Sequence, residues 1–265
     1  MKKVSLIFAM VLAVSFAMAQ KTTWVTQAGT NNLADVMQTS FDGDATSIYA
    51  TQSGDWNTLN TEQRGFNNYL ELMQSGDHNL ANMKQFTKGS PNMNTAVITQ
   101  DGDLNKANLT QKEDPLDFPD DSKNKATATQ SGDYNSYVLN QGGNEWSPTN
   151  EQYLTQSGDA NNALIDQFGY TDYSEIRQLG NWNTTKLDQT AGQGGAGTAT
   201  SNSWQQGTNN LLNILQDYDP SQQIANSIQN GVSNTTNIGQ EGNGLQKVVS
   251  QQLGSDIIKV TQIGF

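Results

Sequence analysis

The sequence predicts an all-β protein, a β-solenoid (β-helix) of about ten two-strand coils, on three observations. Glutamine recurs every eleven residues, as in Gln52, Gln63, Gln74 and Gln85. A glycine follows two residues later and an asparagine five residues later, at Gly54, Gly65 and Gly76 and at Asn57, Asn68 and Asn79. Between an Asn and the next Gln, alternate positions repeat the same sequence of side chains, as in Asn79, Ala81, Met83, Gln85 and Asn161, Ala163, Ile165, Gln167. A period of two belongs to a strand, not to a helix.

Each eleven-residue unit therefore reads as a strand followed by a turn. Glycine after each Gln supplies positive φ at little steric cost, and Asp or Asn beside it suits a tight bend. Phrases of the form QSGD or QDGD start at Gln52, Gln74, Gln100, Gln130 and Gln156, whereas the units between them begin differently. Gln52 and Gln74 are 22 residues apart, so one coil is two units, strand-turn-strand-turn. Coils stacked about 4.8 Å apart would bring like residues into ladders.

The Gln ladder is expected at Gln27, Gln38, Gln52, Gln63, Gln74, Gln85, Gln100, Gln111, Gln130, Gln141, Gln156, Gln167, Gln178, Gln189, Gln216, Gln229, Gln240, Gln251 and Gln262. Gln252 competes with Gln251, because it begins a Gln-x-Gly phrase with Gly254; Gln205 and Gln206 pose the same choice. The Asn ladder is expected at Asn32, Asn57, Asn68, Asn79, Asn105, Asn135, Asn161, Asn183, Asn210 and Asn234. Turn glycines are expected at Gly29, Gly54, Gly65, Gly76, Gly102, Gly132, Gly158, Gly169, Gly180 and Gly231.

Composition fits such a stack better than an ordinary core. Apolar residues are 34% of the 265, against roughly 45–50% in typical domains. An amide side chain carries two donors and a carbonyl acceptor, so a stack of them can satisfy itself along the axis.

The first residues have the three parts of a signal peptide. Lys2 and Lys3 precede an apolar run from Val4 to Phe16, and Ala17-Met18-Ala19 offers a cleavage site. The run is shorter than the roughly 20 residues that span a bilayer. Residues 1–19 are thus read as a leader and 20–265 as one solenoid. Insertions are expected near 112–124, 142–150, 190–200 and 217–222, where Pro115, Pro119, Pro148 and Pro220 and the glycines of 192–197 interrupt the pattern.

With no cysteine, an exported chain has neither disulfide staples nor thiolate chemistry. A net charge of −12 argues against nucleic acid and anionic membrane as partners. His78 is the single histidine, which removes histidine metal clusters and triads, and no phosphate loop or paired-acid motif is present. The chain reads as a non-enzyme with no cofactor and no metal.

Gln-x-Gly-x-x-Asn, then Ala and an aliphatic residue in alternate positions, then Gln, resembles the curlin repeat of curli fibre subunits, the secreted bacterial functional amyloids. The resemblance spans roughly Val25 to Phe265. It implies a secreted subunit at the cell surface, polymerising into adhesive fibres of the biofilm matrix. It implies as partners further copies of itself, a nucleator or companion curlin subunit, and an outer-membrane secretion channel.

The acids of the QSGD phrases, Asp55, Asp77, Asp103, Asp133 and Asp159, admit three readings. They are turn residues, calcium ligands, or gatekeepers whose charges, at a spacing of about 4.8 Å, repel by about 0.9 kcal/mol in water and slow premature stacking. Trp56, His78, Tyr134 and Trp182 stand four residues after their Gln, at the rim of a turn, where they stack over one another or grip a glycan or surface. Fibre formation by templated β-addition is the leading functional expectation, with the last unit ending uncapped at Ile263-Gly264-Phe265. A monomeric solenoid that binds ice or glycans is the alternative.

Overall fold

The computed structural model describes residues 21–39, 45–87, 93–113, 123–143, 149–169, 172–191, 198–218, 222–242 and 245–263. The expected leader and most of the expected insertions lie outside the described residues.

The regular structure is entirely strand among the described residues. In chain order the strands are β1 (Lys21–Ala28), β2 (Leu33–Thr39), β3 (Thr46–Ser53), β4 (Thr58–Arg64), β5 (Tyr69–Ser75), β6 (Leu80–Phe86) and β7 (Met93–Asp101). Next come β8 (Lys106–Glu113), β9 (Lys123–Ser131), β10 (Ser136–Gly143), β11 (Thr149–Ser157), β12 (Asn162–Phe168), β13 (Asp172–Leu179) and β14 (Thr184–Ala191). The chain continues with β15 (Thr198–Thr208), β16 (Leu211–Tyr218), β17 (Gln222–Val232), β18 (Thr235–Glu241), β19 (Gln246–Gly254) and β20 (Ile257–Ile263). Odd strands form one ten-stranded sheet and even strands a second, each in strict chain order. Every pairing is parallel, as a solenoid requires, and the register sets Gln52 opposite Gln74 and Gln74 opposite Gln100.

Alternation along each strand sends one set of side chains between the sheets and the other to solvent. Along β5 the inward set is Leu70, Leu72 and Gln74, all buried, with Asn68 just before the strand buried too. The interior is narrow, and volumes are matched within a coil. Tyr137 on β10 is fully buried, and the apolar residues that β9, the other strand of that coil, turns inward are the small Ala126 and Ala128. From β13 onward the odd strands turn Ser174, Ser201, Ser203, Ser227 and Ser250 inward, while the even strands supply Leu187, Leu212, Ile214 and Ile238. Ile176 on β13 and Val248 on β19 are buried as well, so the aliphatic bulk is weighted toward the even sheet without leaving the odd one.

The two edges of the solenoid differ. Odd strands lead into even strands through a short arc of one length, such as residues 54–57 and 76–79, shortened by one residue between β19 and β20, whereas the return from even to odd strands ranges from residues 65–68 to the longer 114–122. All four expected insertions fall on these returns.

Candidate functional site: amide ladders, clamped arcs and edge coils

Two unbroken glutamine ladders run the length of the stack. In the odd sheet each Nε2 donates to the Oε1 of the next coil, from Gln27 to Gln52 (2.6 Å) and on through Gln74, Gln100, Gln130, Gln156, Gln178, Gln205 and Gln229 to Gln252 (2.9 Å). In the even sheet the ladder runs from Gln38 through Gln63, Gln85, Gln111, Gln141, Gln167, Gln189, Gln216 and Gln240 to Gln262. The second N–H of most rungs goes to a backbone carbonyl across the interior, as from Gln52 to Leu33 at 3.2 Å. Thr185 and Thr236 add hydroxyl bonds to Gln205 and Gln252.

One glutamine assigned from spacing is corrected, and one open choice is decided. Gln251 is not a rung: it lies opposite Ile228 and faces solvent, and Gln252 pairs with Gln229. The interval of eleven fails there because it crosses an even-to-odd return, whose length is free; a shift of one residue moves a side chain to the other face. The Gln-x-Gly phrase ending at Gly254 is the reliable mark, and by the same rule Gln205 is buried while Gln206 is exposed.

The asparagines divide between the two edges. Asn32, Asn57, Asn79, Asn105, Asn135, Asn161, Asn183, Asn210 and Asn234 close the short arcs. Each Oδ1 accepts the backbone N–H of the next rung, as from Asn79 to Asn57 at 3.0 Å, and from Asn32 to Asn210 Nδ2 donates to the next coil's glycine carbonyl, as from Asn57 to Gly76 at 2.7 Å, whereas Asn234 Nδ2 donates to Asn210 Oδ1 at 2.9 Å. Asn68 does not belong to this ladder. It sits on the opposite edge, one residue before β5, in the column of Asn94, Asn124 and Asn150, of which the last two each bond the preceding rung. Its Nδ2 donates to Arg64 O at 2.9 Å.

Glycines follow the same division. Gly29, Gly54, Gly76, Gly102, Gly132, Gly158 and Gly180 all have positive φ and stand over one another, with Gly207, Gly231 and Gly254 completing the column. Gly65 and Gly169 lie on the other edge, after β4 and β12. The spacing is as tight as backbone allows: a Cβ on Gly54 would lie 2.2 Å from the carbonyl oxygen of Gly76.

The acids act between coils. Oδ1 of Asp55 accepts the N–H of Thr30 at 2.6 Å, and Asp77, Asp103, Asp133 and Asp159 each accept the N–H of the preceding acid at 2.7–3.0 Å. Asn181 fills the same place above Asp159 at 2.8 Å. The Thr30 bond holds the Asp55 carboxyl below the usual carboxylate value, with the nearby His78 adding a smaller pull. A carboxylate that accepts a backbone N–H is a charge-assisted clamp. The residue after each acid, and after Asn181, is left-handed, including the bulky Trp56, His78, Leu104, Tyr134 and Trp182, each with φ near 59°. Trp56 and His78 stack, with centroids 6.1 Å apart. The side-chain types hid this geometry, since αL usually selects Gly, Asn or Asp. Outward ladders were missed as well: Asn60 bonds Asn82, and Asn82 bonds Asn108, each at 2.8 Å.

At each end of the stack the outer strands have, among the described residues, a partner on one side alone. Among the described residues β1 and β2 pair only with β3 and β4, and β19 and β20 only with β17 and β18. Large apolar side chains are exposed there, Trp24 at 66% and Ile257 at 80%. Among the described residues no group of three or more His, Asp or Glu is placed to hold a metal ion, and no helix is long and apolar enough to cross a membrane.

An in-register parallel β-solenoid, laced inside by amide ladders and clamped at one edge, is a repeat protein built of stacked coils. Residues 54–86 match the family model of the curlin associated repeat. This stretch, from Gly54 through β6, contains the same Gly, Asn, Gln and clamp positions as the coils above it, and the similarity to the curlin associated repeat is carried by this part of the stack. No curated protein matches the sequence.

Proposed function

We propose that this chain is a secreted structural subunit that assembles, by templated addition of β-strands, into extracellular curli-like fibres serving adhesion and the biofilm matrix. The observation that carries the reading is the complementarity of the two open coils. β1 and β2 offer one edge of a parallel pair of sheets, β19 and β20 offer the other, and the strand directions agree. Gln27 and Gln38 stand at the acceptor end of their ladders, and Gln252 and Gln262 at the donor end. A second copy placed end to end continues both ladders, and a head-to-tail contact that does not close gives a filament. A nucleating companion subunit and an outer-membrane secretion channel are the partners this role calls for.

The test is assembly of the purified chain lacking residues 1–19. Fibres diffracting at about 4.7 and 10 Å are expected; a protein that stays monomeric for days at high concentration overturns the reading.

A further inference from the structure

The ladder of arc asparagines ends on an acid. From Asn57 to Asn210, rungs donate Nδ2 to the glycine carbonyl of the next coil, at 2.7 Å from Asn105 to Gly132 and from Asn161 to Gly180. In the coil of β19 and β20 the rung is Asp256. Its arc is one residue shorter than the others, yet Asp256 takes the backbone bonds of a rung: its N–H donates to Asn234 Oδ1 at 3.2 Å, and its carbonyl accepts from Thr235 N at 2.8 Å and, as Asn210 does from Gln205, from Gln252 Nε2 at 2.9 Å. Its side chain is exposed, whereas Asn234 one coil below is fully buried.

We propose that Asp256 makes the junction between two copies of this chain acid-gated. The inference rests on the fibre reading above. When β1 and β2 of an incoming copy cover this coil, one oxygen of Asp256 takes the place of the Asn Oδ1 and accepts the N–H of the incoming Asn32. The other takes the place of Nδ2 and faces the carbonyl of the incoming Gly29. As a carboxylate it has no proton to offer, so two acceptors are buried against each other, which costs more than a bond never made. Protonated, the carboxyl supplies an O–H to that carbonyl and the rung is complete.

No other charge competes at this place. The arc of Asp256 (residues 252–258), the arc beneath it (230–236) and the arc that would cover it (27–33) contain no other ionisable side chain. On the adjoining strands Lys247, Lys259, Glu241 and Asp35 are exposed on the outer faces, and Lys21 lies half-buried at the opposite edge. The acid clamp is also missing at this junction, where Thr30 stands in the column of Asp55.

Seeded elongation of the mature chain tests the gate, with wild type, Asp256→Asn and, as a charge-matched control, Asp101→Asn on the outer face of β7. At neutral pH, Asp256→Asn is expected to elongate about tenfold faster than wild type, the effect of one hydrogen bond gained, and the control to stay within about twofold. On acidification the ratio of Asp256→Asn to wild type falls toward one, which cancels effects of overall charge. An Asp256→Asn rate equal to the control's, or a ratio that does not change with pH, overturns the gate. Failure of every variant to form fibres at any pH removes the assembly reading itself.

Discussion

Asp55 and Asp77 lie one above the other in successive coils, and instead of merely repelling they are joined: the N–H of Asp55 donates to Oδ1 of Asp77 at 2.7 Å. The bond needs an acceptor oxygen, not a charge, since Asn181 holds Asp159 in the same way. Replacing Asp77 by Asn should leave the Asp55 amide protected from hydrogen exchange. Replacing it by Ala should speed that exchange about tenfold. Equal exchange in the two variants would show that the arc is held without the clamp.

Acid should loosen the first coil. Because the carboxyl of Asp55 is held below its unfolded value by the Thr30 N–H, its contribution is complete above the unfolded value and disappears as pH falls through the folded one. Amide exchange in β1 and at Thr30 should therefore rise with acidification in that window, and Asp55→Asn should remove the dependence. An exchange rate at Thr30 indifferent to pH, after correction for intrinsic chemistry, would contradict this.

Gln74 receives a proton donor from Gln52 and gives one to Gln100, at 2.8 Å each. Truncating it to Ala orphans a buried N–H and a buried oxygen and should destabilise the soluble chain by about 2–4 kcal/mol. Lys84, exposed on the outer face of β6, should change stability by less than about 0.5 kcal/mol on replacement by Ala. Chemical denaturation of the two variants checks the difference.

Leu104 is held at φ 58° with its side chain exposed. A left-handed conformation costs an ordinary L-residue about 1–2 kcal/mol, and Asn tolerates it better, as at Asn31 and Asn209. Leu104→Asn should leave stability unchanged or raise it by up to about 1 kcal/mol. A clear loss would mean that Leu104 packs on something other than its own arc.

The solenoid, its two-strand coil and the inward faces were legible because strand alternation and a fixed arc leave a periodic trace in the residue types. Gln52, Asn57, Leu59 and Gln63 are written by burial and hydrogen bonding together. Counting failed where the chain is free to vary, which is why eleven residues from Gln240 lead to Gln251 and not to the buried Gln252. It also merged the two edges, so that Asn68 and Gly65 seemed equivalent to Asn79 and Gly76. The left-handed aromatics were hidden because backbone conformation there is imposed by stacking of neighbouring arcs, and the N–H of His78 is already tied to Asp55 O at 2.9 Å. Local propensity loses when every arc is bonded to the next.

The unequal edges also define where the sequence can change. From Gln52 to Gln74 a ladder bond of 2.8 Å spans 22 positions, and from Gln100 to Gln130 a bond of 2.9 Å spans 30. The added residues leave the geometry of the rung untouched because they all enter at the return from an even strand. One seam of the solenoid is therefore open to insertion and deletion, while the other keeps five residues from Gln to Asn in every arc but the last, where Gln252 to Asp256 is one residue shorter. New sequence, natural or engineered, can be spliced between β8 and β9 or between β10 and β11 and displayed at regular intervals along one side, with the stack beneath none the wiser.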